Sequence, residues 1–471
     1  MGNHLCIQRW IALVVLSWAS IASAQGAAPE PARATFLHKA DFNFTRDSYR
    51  FVAAGLLSTQ QPQSANPSMQ EHMQSSVSLA VSLQELVHEA EENNSEILAA
   101  VRGYEAASQV PKSAGALPDT ELTLQHFSVG SPRPFAGYTN SDFAYIGLGV
   151  SQQIPYPGKR QLRSEVARHQ AEAVQADVQA VKRNVLAKLK DDYFKLAYHQ
   201  EIEAILDRDD KLLSEVEQIS ESRYRVGQGS QQEVLKAQLQ HTRILREMTM
   251  HHRDLGELQA ELKQLLNRQQ QSPDIVAQPL GERALTQTQG DLFEAARKQN
   301  PALQTREAML RGAAADVTLA NREFRPDFNV QYMYQNTDRK FRDYYMASFG
   351  INLPNRGRRK AELAAAEARR EQAEKQLQSE TQKQLAEIQN QYVVIQTSSE
   401  QLKIYREGLI PQAQATFRAA LAAYQSNRQD FETLISSFLD VLNVESEYQR
   451  ELADHESGLA HLEALTGVNV Q

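Results

Sequence analysis

The chain has 471 residues, 23% of them charged, and a formal net charge of -8. That length allows two to four ordinary domains, and the mildly acidic balance argues against a nucleic-acid partner, which usually needs a basic face.

The N-terminus reads as a targeting segment. Arg9 precedes an apolar run from Ile11 to Ile21, and Ala22-Ser23-Ala24 has the small-x-small form of a signal-peptidase site. The run is shorter than the roughly 20 residues that span a bilayer, so residues 1–24 are expected to be a cleaved secretory signal. Cleavage removes the only cysteine, Cys6, which fits an oxidising compartment and excludes disulfides and a cysteine nucleophile. No later stretch is long, apolar and uncharged, so any entry into a membrane must use β-strands. Residues 25–76, rich in Ala, Pro, Gln and Ser, read as a disordered leader.

Regular patterning begins at Ser82. Leu83, Leu86, Val87, Ala90, Ile97, Leu98 and Val101 predict a helix over 82–109. Two runs of period-2 alternation follow: Leu122 and Leu124, then Ala144, Ile146, Leu148 and Val150. They predict strands with one apolar face, of about 9–11 residues, the length that crosses a bilayer when tilted. Pro155-Tyr156-Pro157-Gly158-Lys159-Arg160 then opens a helical run to Tyr224 with no proline and no internal glycine. At 1.5 Å per residue this helix is about 100 Å long. A turn at Tyr224-Arg225-Val226-Gly227-Gln228-Gly229-Ser230 reverses the chain into a second helix that ends near Asn267.

The same order then repeats. After a Gln-rich linker over 268–290, a helix over 291–320 leads to strands around Phe328–Tyr334 and Tyr345–Leu353. Pro354-Asn355-Arg356-Gly357 opens a second long helix, in which Gly408 and Pro411 predict a local bend, and Tyr424-Gln425-Ser426-Asn427-Arg428-Gln429-Asp430 reverses it. Pro155 and Pro354 lie 199 residues apart, and Tyr224 and Tyr424 lie 200 apart. The chain is a tandem duplication, with copies over 77–267 and 291–467.

This organisation restricts function. Four membrane-length strands cannot close a barrel, since bacterial barrels start at eight, and an open edge in lipid is prohibitively costly. The sheet therefore needs further copies of the chain, and a ring of three gives twelve strands. Strands continued by long helices make a tube.

The duplicated helix–hairpin–helix unit, the Pro-x-x-Gly-Lys-Arg junction at 155–160 and the Tyr-x-Val-Gly-x-Gly-Ser turn at 224–230 resemble the TolC-type outer-membrane efflux family over roughly residues 80–467. The Pro-Tyr-Pro-Gly-Lys-Arg form is similar to members that serve heavy-metal exporters. The resemblance implies a mainly α fold with a β-barrel part: a homotrimer with a twelve-stranded barrel in outer-membrane lipid and a twelve-helix periplasmic tunnel. It also implies a periplasmic adaptor and an inner-membrane pump of the resistance-nodulation-division (RND) type as partners. Pro155, Gly158, Pro354 and Gly357 mark the barrel-to-helix junctions. The tip residues Arg225, Val226, Gly227, Gly229 and Ser230, with Asn427, Arg428 and Asp430, are candidates for adaptor docking. Their simpler reading is chain reversal and helix capping. The positions that carry acidic gate residues in some members hold Thr433 and Ser436 here, and Tyr424 is a further gate candidate beside ordinary hairpin packing.

Met248 and His252, at i and i+4 on one helix, are the candidate ligands for a soft cation, although packing and a surface histidine account for them more simply. No cofactor site and no catalytic constellation stand out. A periplasmic adaptor or a coiled-coil structural protein remains the alternative to a passive exit duct.

Overall fold

The computed structural model describes residues 81–127, 144–337 and 343–468. The expected signal, the leader and most of both inter-strand connections lie outside these residues. In chain order the elements are α1 (Leu83–Asn93), α2 (Ser95–Ala114), β1 (Glu121–Phe127), β2 (Tyr145–Ile154), α3 (Lys159–Arg225) and α4 (Gln231–Leu265). The second copy supplies α5 (Gln289–Gln299), α6 (Pro301–Arg322), β3 (Asp327–Thr337), β4 (Tyr344–Asn352), α7 (Arg356–Ile404), α8 (Ile410–Gln425) and α9 (Phe431–Thr466). A π-helical turn, Tyr405–Leu409, joins α7 to α8.

The periodicity predicts one helix at the start of each copy, but both break at an asparagine. Asn94 and Asn300 leave helical geometry with ψ of 123° and 121°. Each side-chain oxygen accepts from the first turn of the following helix, a strong N-cap. Each amide nitrogen donates across the fold, Asn94 to the Leu265 carbonyl and Asn300 to the Leu465 carbonyl, both at 2.8 Å. The break fastens each short helix pair to the end of its own returning helix.

The long first helix forms as expected. α3 is one uninterrupted run of 67 residues, and Val178, Val185 and Leu189 are buried along its inner stripe. Its counterpart is jointed. The offset between copies grows from 199 at the prolines to 200 at the tyrosines, so the second copy carries one more residue between them. A π turn, bonded i to i+5, accommodates one extra residue within an α-helix. Gly408 lies in that turn and Pro411 just after it, where the sequence predicts a bend.

Three apolar clusters are strung along the helices. One joins α1, α3 and α4 through Leu86, Leu189, Leu196 and Leu262, with Ile275 and Ala277 of the linker packed in. Another brings both hairpins together: Leu206 and Leu213 of α3, Ile244 of α4, Phe417 and Tyr424 of α8, and Leu434 and Phe438 of α9. The third joins Leu292 of α5 to Ile388 and Ile395 of α7 and Leu459 and Leu462 of α9.

The strands form one sheet in the order β1-β2-β3-β4, antiparallel throughout. The pairing of β2 with β3, from Tyr145 opposite Thr337 to Ile154 opposite Phe328, fuses the two copies. β1 has seven residues and is shorter than expected; the others have ten, eleven and nine. Register sorts the side chains cleanly. The rows Leu124–Leu148–Tyr334–Tyr345 and Leu122–Val150–Tyr332–Ala347 share one face. The rows Thr123–Gly149–Met333–Met346 and Glu121–Ser151–Gln331–Ser348 share the other. The apolar face is open: Leu122 is 75% exposed, Leu124 67% and Phe349 64%. Aromatic pairs reinforce it across strands, with Phe328 and Phe349 stacked at 5.7 Å. Among the described residues no helix is long and apolar enough to cross a membrane.

Candidate functional site

Two regions carry the sequence-marked residues: the junction where strands become helices, and the tips where the helices reverse. At the first junction Gly158 adopts φ +92°, which favours glycine strongly. A Cβ there would also meet the Arg322 guanidinium at 3.0 Å. Arg322 donates to the Pro157 carbonyl at 3.0 and 3.1 Å and lies over the Tyr156 ring at 5.3 Å. Pro155, Tyr156 and Pro157 thus supply a ledge for the end of α6.

Lys159 is the centre of this junction, and sequence reasoning gave it no role. Its side chain is 1% exposed. The ammonium sits 3.1 Å from Glu323 and 2.9 Å from Asp327, and donates to the Arg325 carbonyl at 2.8 Å. Glu323 also receives Arg163 at 2.8 Å and Arg359 at 3.4 Å. Burial alone would raise the Glu323 carboxyl, but hydrogen bonds from Arg163 and Lys159 outweigh it and hold the group below its ordinary value.

The second junction departs from the first. Asn355, after Pro354, caps α7 by accepting from Gly357 at 3.0 Å and Arg358 at 3.2 Å. Gly357 therefore lies inside the helix, whereas Gly158 precedes one. The shared glycine does not do the same work in the two copies.

The tips agree more closely than their sequences suggest. Gly227 has φ +72° and Asn427 φ +58°, so asparagine takes the left-handed position that glycine holds in the first turn. Gln228 donates to the Arg223 carbonyl at 2.9 Å, and Arg428 donates to the Ala423 carbonyl at 2.8 Å. Ser230 caps α4 in a reciprocal box with Glu233, and Asp430 caps α9 by accepting from Thr433 at 2.9 Å. A Cβ on Gly229 would crowd the Arg223 side chain at 3.2 Å. Val226 is 69% exposed, and Arg225 is exposed beside Glu221 at 3.0 Å.

Between the tips lies a contact that the sequence did not reveal. Arg223 donates to the Tyr424 carbonyl at 2.6 Å, to the Asn427 side-chain oxygen at 2.5 Å and to the Gln228 carbonyl at 3.3 Å. Its guanidinium also lies over the Tyr424 ring at 4.4 Å. Tyr424 is buried, and its hydroxyl donates to Glu233 at 2.9 Å and shares a hydrogen bond with Ser220 at 3.1 Å. Lys236 and Glu432 form a further ion pair between the hairpins. Tyr224, at the equivalent position in the first copy, is exposed. Of the other gate candidates, Thr433 serves the Asp430 cap and Ser436 is exposed.

Met248 and His252 do not meet in one site. Met248 packs against the cluster shared by the hairpins, and His252 is exposed, 3.5 Å from Glu203. The neighbouring His251 faces His199 of α3 instead.

A family model described as outer membrane efflux protein matches residues 86–268 and 292–457. No curated protein matches the chain in sequence. Among solved structures, the outer-membrane channel OprN is similar, with a TM-score of 0.71 and 18% identity over 82% of this chain and 89% of that one. The outer membrane protein VceC from Vibrio cholerae has a TM-score of 0.70 and 18% identity, covering 83% and 97%. CusC, whose structures concern folding and transmembrane channel formation, has a TM-score of 0.70 and 15% identity, covering 86% and 98%. At such identities the likeness is one of fold: a helical tunnel with a barrel.

Proposed function

The chain belongs to the outer membrane efflux protein family, and from that premise we propose that three copies close into one conduit spanning the outer membrane and reaching into the periplasm. Exit-duct function and outer-membrane location follow from the family, which is one of channels. The trimer, the cleaved signal and the partners belong to the proposal.

The observation that carries it is the unfinished sheet. Four strands end at β1 and β4, with a large apolar face exposed. Lipid can cover that face but cannot satisfy the free backbone groups of the two edge strands. Pairing β4 of one copy with β1 of the next satisfies them, and three copies give twelve strands. The polar rows of Thr123, Gln331 and Ser348 then line the lumen. The helices support the same reading: α3 buries a continuous stripe, whereas α7 buries only six residues of its 49, leaving a face for neighbouring copies. Migration of the purified protein as a heat-modifiable trimer in outer membranes is the expected result. Recovery as a soluble periplasmic monomer would sink the proposal.

The tips, where Val226 and Arg225 are exposed, are where a periplasmic adaptor would dock, linking the duct to an inner-membrane pump of the RND type. Charge reversal at Arg225 and Arg428 is expected to abolish co-purification with the adaptor while leaving the trimer intact. Cargo is chosen largely by the pump, and the heavy-metal form of the junction favours metal cations. Deletion should then sensitise cells to cobalt, zinc, cadmium, copper or silver. Unchanged metal tolerance with new drug sensitivity would assign the duct to a drug pump.

A further inference from the structure

His199 of α3 and His251 of α4 turn their Nδ1 atoms toward each other at 2.8 Å. The Asp254 carboxylate completes a group whose ligand atoms all lie within 4.8 Å of one another. We propose that these three side chains form a binding site for a late first-row divalent cation such as Zn2+, Ni2+ or Cu2+, bracing the first helical hairpin partway along its length.

The arrangement follows from helix geometry. His251 and Asp254 are i and i+3 on α4, hence neighbours on one face, and His199 approaches from the antiparallel α3. Two hydrogens cannot lie between the facing nitrogens. One ring therefore carries its proton on Nδ1 and the other on Nε2, or both Nδ1 lone pairs point into the gap and accept a cation. Two ligands on one metal at about 2.1 Å each sit roughly 3.0–3.4 Å apart, so the histidine nitrogens need part by only a few tenths of an ångström, with the Asp254 carboxylate, within 4.8 Å, drawn in to complete the set.

Burial, helped by the neighbouring His251, lowers the His199 pKa and favours the neutral imidazole. Arg253, hydrogen-bonded to Asp254 at 2.9 Å, holds that carboxyl below its ordinary value. Tyr198 walls one side, edge-on to both rings at 4.8 and 6.1 Å. Imidazole with carboxylate suits late divalent metals better than soft Cu(I) or Ag(I), because no thioether belongs to the group. The second copy has Glu451 and Asp454 at the positions equivalent to His251 and Asp254, so the site is a feature of the first copy alone.

The test uses the untagged full-length protein in detergent, titrated with Cu2+ and followed by calorimetry and electron paramagnetic resonance. The expected result is one ion per chain with coupling to two nitrogens. His199→Ala and His251→Ala should each weaken binding at least tenfold and remove the two-nitrogen signal, and Asp254→Asn should weaken it less. His252→Ala, one residue along and exposed, should change nothing. A wild-type spectrum without two-nitrogen coupling would overturn the proposal, whatever the variants do to folding. So would equal binding in folded His199→Ala, or a loss caused by His252→Ala, which would assign the copper to surface histidine.

Discussion

Replacing Arg223 by alanine isolates the contact between the two tips. The side chain makes one partly buried bond to the Tyr424 carbonyl, two exposed bonds to Asn427 and Gln228, and a stacking contact with the Tyr424 ring. A hydrogen bond from a charged donor contributes about 1.5–3 kcal/mol net, and an exposed cation–π contact about 0.5–1 kcal/mol. The exposed bonds add little, and the Arg223 Nε is buried without a partner, which subtracts. A net of about 2 kcal/mol per chain is a fair figure, or roughly 30-fold in the equilibrium between joined and parted tips. Single-channel conductance in planar bilayers is the direct assay, with the Tyr424→Phe variant beside it. That variant loses only the hydroxyl bonds to Ser220 and Glu233 and keeps the ring beneath Arg223. Arg223→Ala should raise open probability or conductance more than Tyr424→Phe. Conductance indistinguishable from wild type, in a folded trimer, would refute a closing role for this contact.

The turns offer a paired comparison by thermal unfolding. Gly227→Ala should cost about 1–2 kcal/mol from backbone strain alone, because a Cβ there meets nothing within 4 Å; Asn427→Ala should cost more, since it also removes an acceptor of Arg223. Lys159→Met leaves the half-buried Glu323 and Asp327 without their shared cation, although Glu323 keeps Arg163 and Arg359, and should destabilise by about 1–3 kcal/mol, read as a lower temperature for trimer dissociation in detergent. Adding Glu323→Gln should recover part of that loss. Burial, with Glu261 assisting, raises Asp192 to about 6, so between the ordinary carboxylate range and pH 6 the folded protein holds a proton that the unfolded chain has released. Its stabilising contribution is full at low pH and lost as pH rises through 6. Asp192→Asn should therefore stabilise by about 1–2 kcal/mol at pH 7.5, and the gain should vanish near pH 4.

Most of the architecture was legible because it rests on periodicity and repetition. Period-2 runs fixed the strands and their apolar face, and glycine–proline punctuation fixed junctions and tips. Even the π turn left a trace, as the one-residue growth in repeat offset. What stayed hidden depends on partners far apart in sequence. Arg223 meets a tyrosine 201 residues away, and Lys159 meets carboxylates at 323 and 327; neither has a local motif. The ligand geometry around His251 was hidden for the same reason. Helical spacing pointed to Met248 and His252, whereas the residue that finds a partner is His251, and that partner comes from another helix. The breaks at Asn94 and Asn300 interrupt an otherwise continuous helical pattern, and their cause is a bond to the far end of each hairpin.

The core between the hairpins decides how such a tip could open. Fifteen buried residues from α3, α4, α8 and α9 form that cluster, and exposing even half of them would cost more than about 10 kcal/mol at 1.5–3 kcal/mol per large side chain. Two hairpins of one chain therefore cannot simply separate along their length. Tyr424 and Phe431 are the members of the cluster that flank the second turn, and Arg223, Asn427 and Gln228 lie at or beyond that boundary. Only these outermost contacts can part at a cost of a few kcal/mol. A wide opening must then come from each hairpin pair moving as one body against its neighbours. In that case Arg223→Ala alters only the last turn, and a constriction set between chains would be untouched by it. Conductance of the variant thus separates two mechanisms: a latch within each chain, or a seam between chains.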